Sequence, residues 1–579
     1  MAFEYDLVIK GGFVVDGTGS EPFRADIGII GNRIACVGAL AGSAHEEIDA
    51  EGLMVTPGFV DIHTHYDGQV TWENCLRPSS QHGVTSVVMG NCAIGLAPCR
   101  PDDRELLQHV IAGVEDIPEA VMTEGLEWNW ETFPDYMDML ATRETDVDFA
   151  AQVPHSAVRI YVMGQRGADR EPATAADLAA MSAIVREGLQ AGALGVSTSH
   201  TLAHRTPSGA LAPAETAAEE ELLALARPLK ELGLGVYQLM IDFHDLSPEG
   251  SATFDLLCRI AKACGQPLSF LLAQFNHIPE GWRTLLELTA RANEEGIDIK
   301  AQVAPRGIGV MFGLDLSLNP FSLHPTYQAI AHLPLTERVA RMRDPAIRAA
   351  ILSEKANGGH PNTVVLLSAI DNVALLGNPP DYEPTPEKFL GFQAAAKGCS
   401  VNELAYDLLL QDEGHAILYQ PFGNYAYKSL DTVREMMLHP HSIVALGDGG
   451  AHCGLIADAA YPTYMLTHWL QSRSRGERIS LPWAVKSLTS EPAAAVGLYD
   501  RGIVGAGYKA DLNIIDLSGL RLHSPSVHYD LPANGRRIHQ GADGYRYTIL
   551  NGRVTYRDGI STGALPGRLI RGQQAAPLG

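Results

Sequence analysis

The chain has 579 residues, of which 46% are hydrophobic, and a formal net charge of −25 at pH 7. This length exceeds the core of one ordinary domain, and the negative charge argues against nucleic acid and anionic membrane surfaces as partners. No run of about 18 apolar residues occurs, so no membrane span is expected.

The beginning of the chain and its cysteines indicate in which cellular compartment the protein is expected. The first residues, MAFEYDLVIKGG, lack the basic and apolar regions of a signal peptide. The eight cysteines are scattered and include no CxxC pair, which favours reduced thiols. A cytoplasmic protein is expected, and nothing in the sequence excludes a homo-oligomer.

Both ends of the chain have the pattern of short strands separated by turns. Residues 1–56 contain YDLVIKGGFVVDGTG, ADIGIIGNRIACVG and EEIDAEGLMVTPG, and residues 501–579 contain KADLNIIDL and YRYTILNGRVTYRDG. We therefore predict a small β-sandwich built from both termini. Residues 57–500 would form a separate large unit between its two parts.

In this middle region, short apolar strands alternate with helical stretches, a pattern typical of parallel βα units. Eight such strands predict a (β/α)8 barrel with long helical insertions. They are GFVDIHTH, TSVVMGNC, DFAAQVPH, LGVSTSH, LGVYQLMID, LSFLLAQF, IDIKAQVAP and SIVALGDGG.

The first predicted strand ends in two histidines, His63 and His65. Side chains two residues apart on a strand point to the same face, so these imidazoles converge like half of a tetrahedral metal site. An isolated HxH is more often an ordinary polar strand end. The preceding PGFVDI, however, resembles the first barrel strand of the amidohydrolase superfamily.

Two further candidates lie at the ends of other predicted strands. Asp448 follows the eighth strand, where a carboxylate can bind a metal and accept a proton from an attacking water. Cys92 ends the second strand, and a thiolate is a good zinc ligand. The alternatives are a turn aspartate and a small buried hydrophobic residue.

Longer motifs narrow the resemblance. The stretches HGVTSVVMGNCAIGLAP, VEDIPEAVMTEGLEWNWETFPDYMDML, GALGVSTS and YRYTILNGRVTYRDG are similar to those of the N-acyl-D-amino-acid deacylase (D-aminoacylase) branch of the amidohydrolases. This resemblance covers nearly the whole chain. It implies that His63, His65, Cys92 and Asp448 are metal ligands and that Asp448 is also the general base.

The chain departs from that family on the fifth and sixth strands. Where the family has ligand histidines, this chain has VYQLMIDFHD and SFLLAQFNH, and His244 and His277 lie further on, in loops. We therefore expect one metal site, most simply zinc because the ligands mix N, S and O atoms. The sequence does not decide whether a second divalent ion binds.

The family's basic residues around the substrate carboxylate are also not evident. A buried carboxylate without a cationic partner is costly, so a free carboxylate substrate would need Arg159, Arg205 or Arg306 as a substitute. The strands that lack these basic residues contain apolar and amide side chains instead. We therefore expect a bulky, largely neutral amide as substrate, oriented by Gln238 and Gln274.

Several histidines lie on the same predicted rim: His155, His200, His204 and His452. His452 is the favoured second electrophile for the scissile carbonyl, because the two glycines before it allow close approach. The candidate substrate-binding set consists of His155, Arg159, His200, Gln238, Gln274 and Arg306.

The main functional hypothesis is a metal-dependent amidohydrolase that cleaves a linear amide such as an N-acyl amino acid. One alternative is a cyclic-amide or ureide hydrolase, which often uses a carboxylated lysine on strand four, but LGVSTSH contains no lysine. The other alternative is a non-catalytic metal-binding barrel. The joint presence of His63, His65, Cys92 and Asp448 argues against it.

Overall fold

The computed structural model describes residues 4–247 and 250–578. Strands from both ends of the chain form one mixed sheet, in which nine strands fall within the described residues. They are Tyr5–Val14, Phe23–Ile30, Arg33–Gly38, Ala44–Asp49, Met54–Pro57, Leu512–Ile515, Tyr545–Leu550, Arg553–Arg557 and Ile560–Ser561.

The two ends meet where Leu512–Ile515 runs antiparallel to Met54–Pro57. Buried Val, Ile and Leu side chains from both ends share one hydrophobic cluster in this region. The structure thus shows a common sheet of both termini. A second facing layer, and the boundaries at residues 56 and 501, stay predictions.

The middle of the chain contains parallel strands that follow one another in hydrogen-bonded order. Eight are found in the described part: Phe59–Asp61, Val84–Met89, Asp148–Ala151 continued by Val153–Pro154, Gly195–His200, Val236–Ile241, Leu268–Leu271, Ile299–Val303 and Ser442–Val444. They are called the first to the eighth barrel strand below. Nearly all their residues are buried, as expected for a parallel sheet covered by helices.

Backbone hydrogen bonds just beyond the strand ends close this sheet into a barrel. The Asp448 N–H donates to the His63 carbonyl at 3.0 Å, and the His65 N–H donates to the Gly449 carbonyl at 2.8 Å. The ends of the first and eighth strands are therefore joined directly. This brings together residues from distant parts of the chain.

Helices follow the barrel strands and cover the outside of the barrel. The helices around the barrel are Gln69–Trp72, Arg104–Val114, Glu119–Gly125, Phe133–Leu140, His155–Met163, Gln165–Ala168, Ala175–Gln190, Glu219–Leu232, Ala252–Cys264, Gly281–Glu294, Asp431–Leu438, Tyr461–Tyr464, Leu481–Leu488 and Ser490–Ala495, with a π-helix at Met465–Ser472. None of the described helices is long and apolar enough to cross a membrane.

The connection between the seventh and eighth strands forms a lobe with its own hydrophobic cluster. Its strands Ile308–Phe312, Ala374–Leu375 and Leu418–Gly423 pair antiparallel. Its helices are Pro325–Ile330, Leu335–Met342, Pro345–Ser353, Pro361–Ser368, Leu390–Lys397 and Val401–Leu409. The sequence predicted helical insertions but not this independent core.

Two short pairings outside the barrel complete the described strands. Ser526–Leu531 and Gly535–His539 form a hairpin, and Arg521–Leu522 pairs with Ala542–Asp543. The Ile538 N–H donates to the Cys453 carbonyl at 2.6 Å. The hairpin is thereby attached to the loop that follows the eighth strand.

Gly450 is one of the positions where barrel closure leaves no room for a side chain. Its φ is +92°, and an added Cβ would lie 2.6 Å from the His65 carbonyl oxygen. Gly296 has a φ of +81° but no atom within 4 Å of such a Cβ. Both Gly→Ala substitutions should cost about 1 kcal/mol or more in left-handed strain.

Only Gly450→Ala adds the steric clash, so it should lower the melting temperature clearly more than Gly296→Ala and should also reduce metal retention. Thermal unfolding and elemental analysis of the two variants check this. Equal effects of the two substitutions would contradict the closure argument.

Candidate metal centre

His63 lies just beyond the first barrel strand and is almost completely buried. Its Nδ1–H donates to Gln302 Oε1 on the seventh strand at 2.7 Å. This bond keeps the proton on Nδ1 and leaves the Nε2 lone pair available. Nε2 lies 3.2 Å from the Cys92 sulfur and 3.6 Å from Asp448 Oδ1.

His65 approaches the same point from the next position of the same segment. Its Nε2 lies 3.7 Å from Asp448 Oδ1. Ligand atoms of His63, His65 and Cys92 all lie within 4.8 Å of one another. The predicted convergence of the HxH pair, the cysteine of strand two and the aspartate after strand eight is therefore observed in the structure.

The backbone conformation of the site is unusual. Cys92, Asp448 and His452 have φ values of 56°, 47° and 49°, in the left-handed region that residues with a side chain rarely adopt. Such conformations persist where the surrounding structure enforces them, and they concentrate at functional sites. Here they accompany the sharp turns that follow two barrel strands.

The charges of the cluster depend strongly on one another. Burial disfavours the imidazolium of His63, but the neighbouring Cys92 sulfur and Asp448 carboxylate together outweigh burial and raise the pKa of His63 to about 9. Burial raises the pKa of the Cys92 thiol, and the two imidazoles then bring it down to about 7. Burial also opposes ionisation of Asp448, yet His65 and His63 hold its pKa well below the usual range.

These residues fit a divalent cation. His63 Nε2 lies 3.2 Å from Cys92 Sγ, and the two Nε2 atoms lie 3.6 and 3.7 Å from Asp448 Oδ1. These three separations match edges of a tetrahedron around an ion with bonds of about 2.0–2.3 Å, while the group with all ligand atoms within 4.8 Å of one another consists of His63, His65 and Cys92. Two imidazoles, a thiolate and a carboxylate are also the donor types that hold zinc. A cation would replace the protons that bridge the cluster in the metal-free protein.

The strand-five glutamine lies beside this cluster. Gln238 Oε1 accepts the backbone N–H of Cys92 at 3.0 Å, so the opposite end of the amide is its NH2 group. This Nε2 is buried and has no hydrogen-bond partner among the described residues. An amide donor of the fifth barrel strand therefore stands beside the cysteine.

The two loop histidines do not approach the centre. His244 is exposed and lies 3.6 Å from Asp242, and the ring of His277 stacks on Phe275 at 5.8 Å. Within residues 4–247 and 250–578, the group His63, His65 and Cys92 is the sole cluster of potential ligands at this spacing. This arrangement favours a single site over two.

His155 and Arg159 lie in a buried ionic network behind the rim. His155 bonds Thr198 at 2.7 Å and Glu221 at 2.8 Å, and the Arg159 guanidinium pairs with the same Glu221 carboxylate. His200 Nε2 donates to the Ala217 carbonyl at 3.1 Å. His155, Arg159 and His200 are thus hydrogen-bonded to other groups of the protein.

Gln274 is similarly engaged, because its amide donates to the Pro279 carbonyl and accepts the Ala426 N–H.

Arg306 differs from the other candidate arginines. One of its nitrogens pairs with Asp458 and its guanidinium lies over the Tyr382 ring, but Nε and Nη1 have no partner in the described part of the chain. Arg205 donates to the carbonyls of Leu202 and Gly209.

His452 lies on the rim beside Glu115, with 3.7 Å between Nε2 and Oε2. Burial lowers the pKa of His452 to about 4, so its ring is neutral near pH 7. His204, which shares a 2.7 Å hydrogen bond with Ser199, has a pKa lowered by burial to about 3. Both rings can therefore donate a hydrogen bond without carrying charge.

Sequence reasoning missed two residues of this site, Gln302 and Glu115. Gln302 lies in IDIKAQVAP, where a polar side chain inside an otherwise buried strand is a usable signal. Glu115 ends the helix Arg104–Val114 in an insertion, and nothing in the local pattern distinguishes it. Only the packing of that insertion against the barrel brings it next to His65.

Comparisons with known proteins agree with this geometry. The amidohydrolase family matches residues 46–556. N-acyl-D-aspartate deacylase of Alcaligenes xylosoxydans xylosoxydans is 26% identical over 99% of this chain and 96% of its own length. D-aminoacylase of the same organism is 37% identical over 235 residues, which span 40% of this chain and 43% of that protein.

Solved structures extend the similarity to the fold. A crystal structure of D-aminoacylase, described as defining a novel subset of amidohydrolases, is 25% identical with a TM-score of 0.63, over 98% of this chain and 100% of that one. N-acyl-D-glutamate deacylase from Bordetella bronchiseptica, complexed with zinc and a phosphonate inhibitor, is 22% identical with a TM-score of 0.64 over 98% and 99%. The latter likeness concerns the fold alone.

The single cluster predicts about one tightly held divalent cation per chain, because the fifth and sixth strands supply no further ligand. Elemental analysis of protein purified without added metal and then dialysed checks this. Two retained equivalents would show that other residues complete a second site.

Proposed function

The chain belongs to the amidohydrolase family, and we propose that it hydrolyses a linear amide of an N-acyl amino acid or a related N-acyl compound. As a member of that family, it is a hydrolase of carbon–nitrogen bonds other than peptide bonds. The observation that carries the proposal is the convergence of His63 Nε2, His65 Nε2, Cys92 Sγ and Asp448 Oδ1.

In this proposal, His63, His65, Cys92 and Asp448 hold one zinc ion. The mixed donor set supports zinc over harder cations. When bound, the ion supplies a Lewis acid that polarises the amide carbonyl and increases the acidity of water. A D-aminoacylase with a similar structure is described as having a binuclear centre with one-metal activation and second-metal attenuation.

Asp448 acts as the general base. Its carboxylate lies at the mouth of the barrel, accepts a proton from the attacking water and passes it to the leaving amine. Its side chain is 22% exposed, compared with 1% for His63 and 4% for His65. Of these three, Asp448 is therefore the group best able to contact solvent and substrate.

His452 and Gln238 orient the substrate carbonyl. The neutral His452 ring on the rim and the free NH2 group of Gln238 beside Cys92 are donors for an oxygen that gains negative charge. Such donors stabilise the transition state of acyl transfer more than the ground state. His200 would contribute only to the wall of the pocket.

The proposed substrate is largely neutral rather than a small free acid. Arg159 is committed to Glu221, Arg205 to backbone carbonyls, and Arg306 is partly neutralised by Asp458. The apolar side chains at the ends of the fifth and sixth strands differ in burial. Leu239 and Leu272 lie in the main hydrophobic core, and Leu271 packs against a second buried hydrophobic cluster, whereas Met240 is only half-buried.

Met240 therefore stays available for the pocket, together with Gln238. Burial of an apolar substrate group against them would contribute about 25 cal/mol per Å².

Asp448→Asn should lower turnover by about 10²–10⁴-fold, because the amide keeps the shape but cannot accept the proton. The measurement is kcat on the best substrate at saturating Zn²⁺, with bound metal determined in the same sample. Asp458→Asn is the matched control, since Asp458 pairs with Arg306 and not with the two histidines. Activity of the Asp448→Asn protein within a few-fold of wild type would exclude Asp448 as the base.

Substrate choice can be tested with a matched pair of N-acyl compounds, one with a free carboxylate and one with that group amidated or replaced by an aryl ring. We expect the neutral member to have the higher kcat/KM. A large preference for the free acid would contradict this expectation and would indicate Arg306 as a carboxylate-binding residue. In that case, Arg306→Met should remove the preference.

A further inference from the structure

Glu115 is a buried carboxylate that the proposed reaction does not use. It caps the helix Arg104–Val114 and is 2% exposed. Its Oε1 lies 3.4 Å from His65 Nδ1, and its Oε2 lies 3.7 Å from His452 Nε2. One carboxylate thus contacts a proposed metal ligand and the neutral histidine of the rim.

Each of the two proposed ligand histidines directs Nε2 toward Asp448 and Nδ1 toward a side-chain oxygen. His63 Nδ1 is hydrogen-bonded to Gln302 Oε1 at 2.7 Å, whereas His65 Nδ1 lies 3.4 Å from Glu115 Oε1. An oxygen at this place favours the tautomer with the proton on Nδ1, which leaves Nε2 free for a metal. The partners differ, because Gln302 is neutral whereas Glu115 can carry a charge.

A charge at Glu115 is expensive in the metal-free protein. Neither carboxylate oxygen has a hydrogen-bond partner among the described residues, and neither does His65 Nδ1. The groups near Glu115 are the imidazoles of His65 and His452 and three potential anions, Cys92, Asp448 and Asp67. A divalent cation at the ligand cluster would offset this accumulation of negative charge.

Glu115 is also tied to the loop that follows the eighth strand. The His452 backbone N–H donates to the Glu115 carbonyl, and the next residue, Asp116, accepts the Gly454 N–H at 3.1 Å and the Ser317 hydroxyl at 3.0 Å. The two-residue segment 115–116 therefore holds the loop of His452 by its backbone and by one side chain. The side chain of Glu115 is left to face the imidazoles.

We propose that Glu115 is a positioning residue that orients the proposed metal ligand His65 through Nδ1, strengthens its binding of the cation, and keeps the His452 ring at the rim. This inference rests on the proposed metal centre. In proteins generally, the loss of such a carboxylate partner of a ligand histidine weakens metal binding by about 10–100-fold. Glu115 is argued to act through His65 and His452, not as a metal ligand itself.

The test compares Glu115→Gln with Asp116→Asn. Both remove one buried carboxylate from the same segment with little change of shape, but only Glu115 faces His65. The affinity of metal-free protein for Zn²⁺ is measured in competition with a chromophoric chelator. The visible spectrum of the Co²⁺-loaded protein reports the ligand field independently of activity.

We expect Glu115→Gln to weaken Zn²⁺ binding by about 10–100-fold and to change the Co²⁺ spectrum, while Asp116→Asn stays within about threefold of wild type. Glu115→Asp, which keeps the charge but withdraws it from His65, should be intermediate, and it serves if the Gln variant fails to fold. Thermal unfolding of each metal-free protein establishes that it is folded.

Wild-type affinity and spectrum in Glu115→Gln would overturn the inference. An equal loss in Asp116→Asn would also overturn it, because the effect would then come from anchoring the loop. A wild-type protein that fails to bind Zn²⁺ in the same assay would instead refute the proposed metal centre itself.

Discussion

The backbone pairing between the ends of the first and eighth barrel strands is the constraint on which the site depends. It joins Asp448 to the His63 carbonyl and His65 to the Gly449 carbonyl. The same two hydrogen bonds that close the barrel therefore set the distance between the imidazoles and the carboxylate. An added Cβ at Gly447 would lie 1.9 Å from Asp61 Oδ2, so the glycines around Asp448 are required by the closeness of the two strand ends.

A second constraint is the balance of charge at the mouth of the barrel. Cys92, Asp448 and Glu115 surround two imidazoles, and burial raises the pKa of Asp61 just below them to about 7. The arginines buried nearby are paired elsewhere, Arg159 with Glu221 and Arg306 with Asp458. A buried excess of potential anions is costly unless a cation compensates it, and this imbalance is the physical argument for a metal.

The fifth strand places a polar side chain beside the proposed metal centre. The first, second and eighth strands supply the proposed ligands, whereas Gln238 of the fifth strand accepts the Cys92 backbone N–H with Oε1. Its buried NH2 group has no partner among the described residues. The fifth strand therefore offers a hydrogen-bond donor beside the cluster of His63, His65 and Cys92.

The sequence by itself determined the elements in which hydrophobic residues recur with a regular period. The order of the eight apolar strands, the shared face of His63 and His65, and the places of Cys92 and Asp448 at strand ends all follow from periodicity and from the rule that parallel strands end on the same rim. The joining of both termini in one sheet was likewise predictable from their strand patterns. Each of these predictions rests on a pattern among residues that are neighbours along the chain, although the sheet itself pairs Met54–Pro57 with the distant Leu512–Ile515.

Tertiary structure alone decided which polar residues on the rim are free. His155 and Arg159 lie in the helix His155–Met163 that follows the third strand, and Gln274 lies in the loop after Leu268–Leu271. Glu221, Pro279 and Ala426 engage their polar groups. Glu115 reaches His65 only because a helix of an insertion packs against the barrel. Such pairings join residues far apart in sequence, and their partners depend on packing across the fold, which no local pattern encodes.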